Sequence, residues 1–293
     1  EQKKLGLLER KRYERSQRRK KVRIQIALIV GLVSIGIGAV CFYWQPWKNW
    51  SFKSGVETSK KEDPKENKEL QRQTTIAEAQ RLAASYAYDE AVEHLQTIEG
   101  YAEDTEIQDM IADIVATKET CVPVELDKVT HIFYHSLVVD EQRAFGNAND
   151  PQSAGNNQWM TTVDEFNDIT QEMYDRGFVY VSIHDLYDIT KDENGNEVWK
   201  PAEILLPPDK KAVVLSLDDL SYYHSYDNYG YAARLILDKN GDVMNEYIDA
   251  DGEMHIGAYD CVPLLDQFVE EHPDASYKGA KGIIALTGYN GIL

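Results

Sequence analysis

Cysteine is scarce. Three residues in 293, at positions 41, 121 and 261, exclude a fold built on a disulfide framework. The Cys-x-x-Cys and His-Glu-x-x-His spacings of the common zinc sites are also missing, so a metal would need other ligands. Basic charge is short as well: 31 Lys and Arg stand against 50 Asp and Glu, a formal net charge of −19, and no nucleic-acid partner is expected from that balance. The bases present are unevenly placed, with 11 of them and 3 acids in residues 1–23, leaving 20 bases against 47 acids in the rest. Hydrophobic residues make up 43% of the chain, enough for a globular core and too many for a disordered one.

From Ile24 to Trp44 run 21 residues without a charge. As a helix they would reach about 30 Å, the thickness of a bilayer's hydrocarbon core. Phe42, Tyr43, Trp44, Trp47 and Trp50 close the run with an aromatic belt, so a retained transmembrane anchor is expected rather than a cleaved leader. The basic flank predicts a cytoplasmic tail over 1–23 and places everything after Trp50 outside the cell membrane. Residues 45–73, charged and broken by Gly55 and Pro64, read as a linker. Over 74–120, Ile76, Ala79, Ala83 and Tyr86 share one helical face. Val92, Leu95 and Ile98, after Asp89 as N-cap and before Gly100, form a second; Ile107, Ile111, Ile114 and Val115 form a third that continues to about Lys118. The unit resembles a single tetratricopeptide-type repeat. One repeat cannot bury its own face, so a spacer or packing module is expected.

The period changes over 121–293. Thr130 to Tyr134 and Phe178 to Ser182 read as strands, as do the continuous apolar run Ala212 to Leu217 and the segment Gly282 to Thr287. Thr162 followed by Glu165 is a capping-box pair opening a helix with Phe166, Ile169 and Met173, and a second helix is expected from about Val262 to Glu271. Asp192-Glu193-Asn194-Gly195, Asn240-Gly241 and Asp251-Gly252 carry hairpin-turn chemistry. Asp238 to Asp242 is half a calcium loop, but Val243 and Asp249 stand where Gly and Glu would be required, so a turn is expected. The pattern predicts an α/β fold with a parallel sheet or barrel. Val129 to Leu293 is 165 residues, short of the roughly 250 of a full (β/α)8 barrel. Because the chain also opens on Glu rather than Met and stops just after an apolar run, the domain is expected to be incomplete at its C-terminus. Cys121 and Cys261 could pair.

Asp218 and Asp219 follow the apolar run directly, at the strand end where α/β folds gather catalytic groups. Adjacent carboxylates are costly to keep ionised together without a cation nearby; the alternative is acids that cap a helix or face water. His135 either lines a site at the end of the first strand or is an ordinary strand-end histidine. His224, Tyr222, Tyr223 and the tyrosines at 226, 229 and 231 form an aromatic loop just after the acids, suited to stacking on sugars or to packing beneath the loop.

In order, Thr130-His-Ile-Phe-Tyr-His-Ser136, Tyr174-Asp-Arg-Gly-Phe-Val-Tyr-Val-Ser182 and Ala212-Val-Val-Leu-Ser-Leu-Asp-Asp219 resemble the polysaccharide deacetylase family of carbohydrate esterases, the NodB-homology enzymes, over roughly Val129 to Leu293. The resemblance implies a partial (β/α) barrel. It also implies that Asp218 is the catalytic base and Asp219 a ligand of a divalent metal, zinc, with His135, His224, Tyr222 and Tyr223 as site-lining candidates. Ser216, Leu217 and Leu220 stand where the family motif has Thr, Phe and Gly. The family's His-Ser/Thr-x-x-His pair is not found here and by family order would fall beyond Leu293. The implied activity is hydrolysis of N-acetyl groups on an N-acetylated polysaccharide, peptidoglycan or an N-acetylglucosamine polymer, outside the membrane. The alternative is a non-catalytic envelope polysaccharide-binding protein that keeps the deacetylase fold.

Overall fold

A computed structural model describes residues 64–286. The expected transmembrane helix, 24–44, lies outside them, and among the described residues no helix is long and apolar enough to cross a membrane.

Three helices come first: α1 (Pro64–Ala84), α2 (Tyr88–Leu95) and α3 (Thr105–Thr120). The first begins inside the stretch read as linker. Pro64 suits a first helical turn, and the Lys, Glu, Gln and Leu residues after it are good helix formers. Its polar side chains also find partners across the unit, Lys68 on Glu99 at 2.9 Å and Arg72 on Asp104 at 2.9 Å. Asp104 caps α3, accepting the N–H groups of Glu106 at 3.1 Å and Ile107 at 3.4 Å. Asp89 is not the cap of α2 but sits in its first turn, where its carboxylate meets Lys118 at 2.6 Å. Ile76, Ala79, Leu95 and Ile107 close the small core between the helices.

The strands are β1 (Val122–Pro123), β2 (Thr130–Tyr134), β3 (Phe178–Tyr180), β4 (Tyr187–Lys191), β5 (Glu197–Pro201), β6 (Leu205–Leu206), β7 (Lys211–Asp218), β8 (Ala232–Leu237), β9 (Val243–Ile248), β10 (Met254–Gly257) and β11 (Ile283–Ala285). Helices α4 (Glu141–Phe145), α5 (Pro151–Trp159) and α6 (Val163–Asp175) lie between β2 and β3, and α7 (Cys261–Glu271) between β10 and β11. Strand β7 is the centre. One of its edges takes β2, with Tyr134 opposite Leu217; the other takes β3 near its start and β11 at its end, with Ala285 opposite Asp218, all parallel.

Both faces of β7 are covered. Val213, Leu215 and Leu217 pack with Phe166 of α6 and with Leu265 and Val269 of α7. Ala212 and Val214, one residue out of phase, pack on the other face with Val179, Val181, Leu206 and the tyrosines Tyr86 and Tyr88 that join α1 to α2. The helical unit is thus packed on the sheet. Tyr86, held at φ 66°, stacks on Tyr277 and donates its hydroxyl to the Asp274 carbonyl at 2.7 Å.

The α/β expectation needs correction in its architecture: the described residues form no partial or closed barrel. β2 and β11 each pair with β7 alone, leaving an open four-stranded sheet, and the other strands form three antiparallel sheets, β1–β6, β4–β5 and β8–β9–β10. Local turn chemistry explains the antiparallel ones. Three segments share one design, an Asp whose Oδ1 accepts the N–H groups two and four residues on, with Gly three residues after the Asp at φ between 83° and 90°. They are Asp192–Asn196, Asp238–Asp242 and Asp249–Glu253, and the first of them joins β4 to β5. Such turns reverse the chain within a few residues and select a hairpin over a crossover.

Two smaller expectations also change. The capping box of Thr162 and Glu165 forms, but Thr170 rather than Ile169 is buried, because 166, 170 and 173 align on the inner face and 169 lies at its margin. Cys121 and Cys261 are both free; Cys261 belongs to the core under α7, whereas Cys121 packs against the core on the opposite face of the sheet.

Leu215→Ala should lower the unfolding free energy by about 2–5 kcal/mol, since the side chain is buried against both α6 and α7. Thr162→Ala, which removes a helix cap, should cost only about 1 kcal/mol. Urea unfolding of the two variants checks the ranking.

Candidate functional site at the carboxyl end of the parallel sheet

The chain changes character at the last residue of β7. Asp219 turns out of the strand at φ 53°, a left-handed conformation that Asp tolerates better than most residues. Its N–H donates to the Ala285 carbonyl at 3.1 Å, so β11 fixes the bend, and its own carbonyl accepts the Ser221 N–H at 2.7 Å. Leu220, the next residue, uses its side chain as a buried anchor.

The two carboxylates meet different partners. Asp218 Oδ1 accepts the Ser216 hydroxyl at 2.9 Å, and the Ser216 oxygen lies 3.0 Å from His131 Nε2. With its one proton given to Asp218, the serine can accept only an N–H from His131. Asp219 Oδ2 lies 3.9 Å from His135 Nε2, and both side chains are about one-third exposed, at 34% each. The pairing of β2 with β7 puts His135 there, one residue past Tyr134 and its partner Leu217. Phe133, exposed, stands edge-on to the His135 ring at 5.8 Å.

Behind this edge is a carboxylate that takes no part in the expected site. Asp260 caps α7 and is fully buried. Its Oδ1 accepts two N–H groups, from Cys261 at 2.7 Å and from Leu137 at 3.0 Å. Among the described residues its Oδ2 is buried with no well-aligned hydrogen-bond partner, as are the hydroxyls of Ser136, Ser221 and Tyr231. Burial pushes the Asp260 carboxyl up to about 6. The Tyr222 hydroxyl sits against it, and burial, with the Asp260 charge second, drives that phenol far above its ordinary range. Tyr222 also accepts Asn245 Nδ2–H at 3.0 Å, and buried Asn245 accepts the Tyr259 N–H at 3.1 Å.

Asp218, Asp219 and His135 therefore stand on neighbouring strand ends. Tyr222 is turned inward to Asp260, and Tyr223 meets Tyr226 edge-on at 5.8 Å. Tyr226 stacks on Tyr231 at 4.5 Å and, with Tyr229, packs against the small core of Val138 and Ala144. His224 is fully exposed and bound to Asp227 Oδ2 at 3.1 Å, apart from the acids. Sequence reasoning missed Asp260, His131 and the role of Ser216. An Asp just before an apolar helical run is an N-cap signal, but nothing local marks it as buried.

Asp249, Glu253 and His255, in the β9–β10 hairpin, have potential metal-ligating atoms within 4.8 Å of one another. There Asp249 Oδ1 holds the turn and Oδ2 meets His255 Nε2 at 2.7 Å, a contact that keeps the Asp249 carboxyl below its usual range. A cleft of about 260 Å³ opens between the ends of β3 and β11, with His184 and Lys281 as its only ionisable lining and no carboxylate. Compared with known proteins, the chain matches no protein-family model, no curated protein and no solved structure.

The raised Asp260 carboxyl favours folding while protonated, and this contribution is lost as pH rises through about 6. Relative to Asp260→Asn, the parent should lose about 2 kcal/mol of stability between roughly pH 4.5 and 7.5. Denaturation of both proteins across that range checks it, and a difference that does not vary with pH would refute it.

Proposed function

We propose that the chain carries the catalytic edge of a metal-dependent hydrolase that removes N-acetyl groups from a polysaccharide. One observation carries the reading: two carboxylates end a strand buried on both faces, and an imidazole faces the second of them across 3.9 Å. The ordered likeness of Thr130–Ser136, Tyr174–Ser182 and Ala212–Asp219 to polysaccharide deacetylases supports it from the sequence side.

The donor set fits a divalent cation such as zinc. Asp219 and His135 offer one oxygen and one nitrogen, close enough for a single ion to touch both, and both are ligand types zinc takes. Such an ion would supply Lewis acidity toward an acetamide carbonyl. Asp218 is the base. Ser216 holds one of its oxygens, backed by His131, so the second oxygen is left to take a proton from an attacking water. Phe133, exposed beside His135, offers an aromatic face near the edge on which a sugar ring can stack. Peptidoglycan or an N-acetylglucosamine polymer fits this chemistry.

A second reading, polysaccharide binding without hydrolysis, is favoured by the replacement of the family's Gly with the buried Leu220. Two substitutions in the full-length protein separate the two. Asp219→Ala should abolish zinc retention, measured by elemental analysis. Asp218→Asn keeps the shape of the site and should retain zinc, while acetate release falls on the order of 10² to 10⁴-fold. A parent that binds N-acetylated polymer and releases no acetate would establish the binding reading instead.

A further inference from the structure

We propose that Asp260 is a positioning residue that locks the His135 and Asp219 loops of the candidate site to one another. The inference rests on the reading of that edge as a site and adds a residue that neither the motif nor the strand ends include.

An ordinary N-cap carboxylate stays near solvent and serves its own helix. Asp260 caps α7 through the Cys261 N–H, but the same oxygen reaches out of the helix to the Leu137 N–H, 123 residues earlier and two residues beyond His135. The Cys261 thiol adds a second link, 3.9 Å from the His135 carbonyl. On the other side Tyr222, three residues beyond Asp219, rests its hydroxyl against Asp260. Asp219 and Tyr222 both hold left-handed backbone, φ 53° and 46°, which non-glycine residues keep only when the surroundings enforce it. Asn245 completes the support by donating to Tyr222.

One buried carboxylate thus touches the segment after β2, the segment after β7 and the start of α7. A Ser or Asn would cap the helix without burying a charge, so capping alone does not account for Asp at this position. What the carboxylate adds over a short cap is reach, which lets one oxygen serve the Cys261 and Leu137 N–H groups together while the Tyr222 hydroxyl lies beside the group.

The test compares Asp260→Ala, Asp260→Asn and Asp260→Ser in the full chain by hydrogen exchange over 135–138, 218–223 and 260–265. Serine can cap Cys261 but is too short to reach Leu137, whereas Asn keeps an acceptor oxygen at full length. Asp260→Ser should exchange faster by about tenfold or more over 135–138 and 218–223 with 260–265 unchanged; Asp260→Ala should loosen all three, and Asp260→Asn should restore the parent pattern over 135–138. In acetate release, Asp260→Ser should lose on the order of 10 to 100-fold in kcat with KM little changed, the size expected for a group that orients ligands. Exchange confined to 260–265 in Asp260→Ala, or unchanged exchange over 135–138 in Asp260→Ser, would overturn the proposal. A parent without deacetylase activity would sink the functional reading alone, because the exchange pattern reports the anchoring independently.

Discussion

Strand β7 is paired on both edges and covered on both faces, and most of what matters in this protein follows from that confinement. A strand so placed can carry no ionised side chain along its length, because no water reaches it to repay desolvation. Six consecutive residues from Ala212 to Leu217 are accordingly buried, and Ser216, the single polar one, spends its hydroxyl on Asp218. Charge is tolerated only at the two ends, Lys211 at the start and the acids at the carboxyl end, where the sheet stops. There the neighbours of β7 stop as well, so Asp218 and Asp219 share their edge with whatever follows β2.

The same confinement shapes the acids' surroundings. Asp218 is steadied along its own strand, by a serine two residues before it on the same face, with a histidine of β2 behind that serine. Asp219, past the end of the strand, is fixed through its backbone on β11. Asp260 shows the opposite solution to the same electrostatic problem. Removed from water altogether, it keeps two N–H donors and shifts toward its neutral form.

Around the parallel sheet, the chain spends much of its length in short antiparallel pairs closed by repeated Asp-x-x-Gly turns. These turns are self-contained: one carboxylate oxygen satisfies two backbone donors, and glycine supplies the positive φ. The Asp249–Glu253–His255 cluster is best understood within that frame, since its central aspartate already has both oxygens engaged by the turn and by His255. The helical unit covers the opposite side of the sheet through Tyr86 and Tyr88, so the aromatic residues of its α1–α2 corner serve a core that no helix-by-helix pattern includes.

Much of the local structure was legible in the residues: the apolar run of β7, the Thr162–Glu165 capping box, the three turns, and the pair of acids at a strand end. Each depends on neighbours within a few positions, where side-chain period, capping and turn chemistry act directly on the backbone. The start of α1 at Pro64, the exposure of Ile169, the separation of Cys121 from Cys261 and the open rather than barrel-like sheet were not legible, nor were the links from His131 to Ser216 and from Asp260 to Leu137. Those depend on which segments meet: β2 must lie beside β7 before His131 can find Ser216, and α7 must pack on the sheet before Asp260 can lose its water. Local sequence determined where a carboxylate could stand on its own element; tertiary packing decided whether it met solvent, a histidine or the backbone of a loop more than a hundred residues away, because burial and hydrogen-bond partners are properties of the assembled chain.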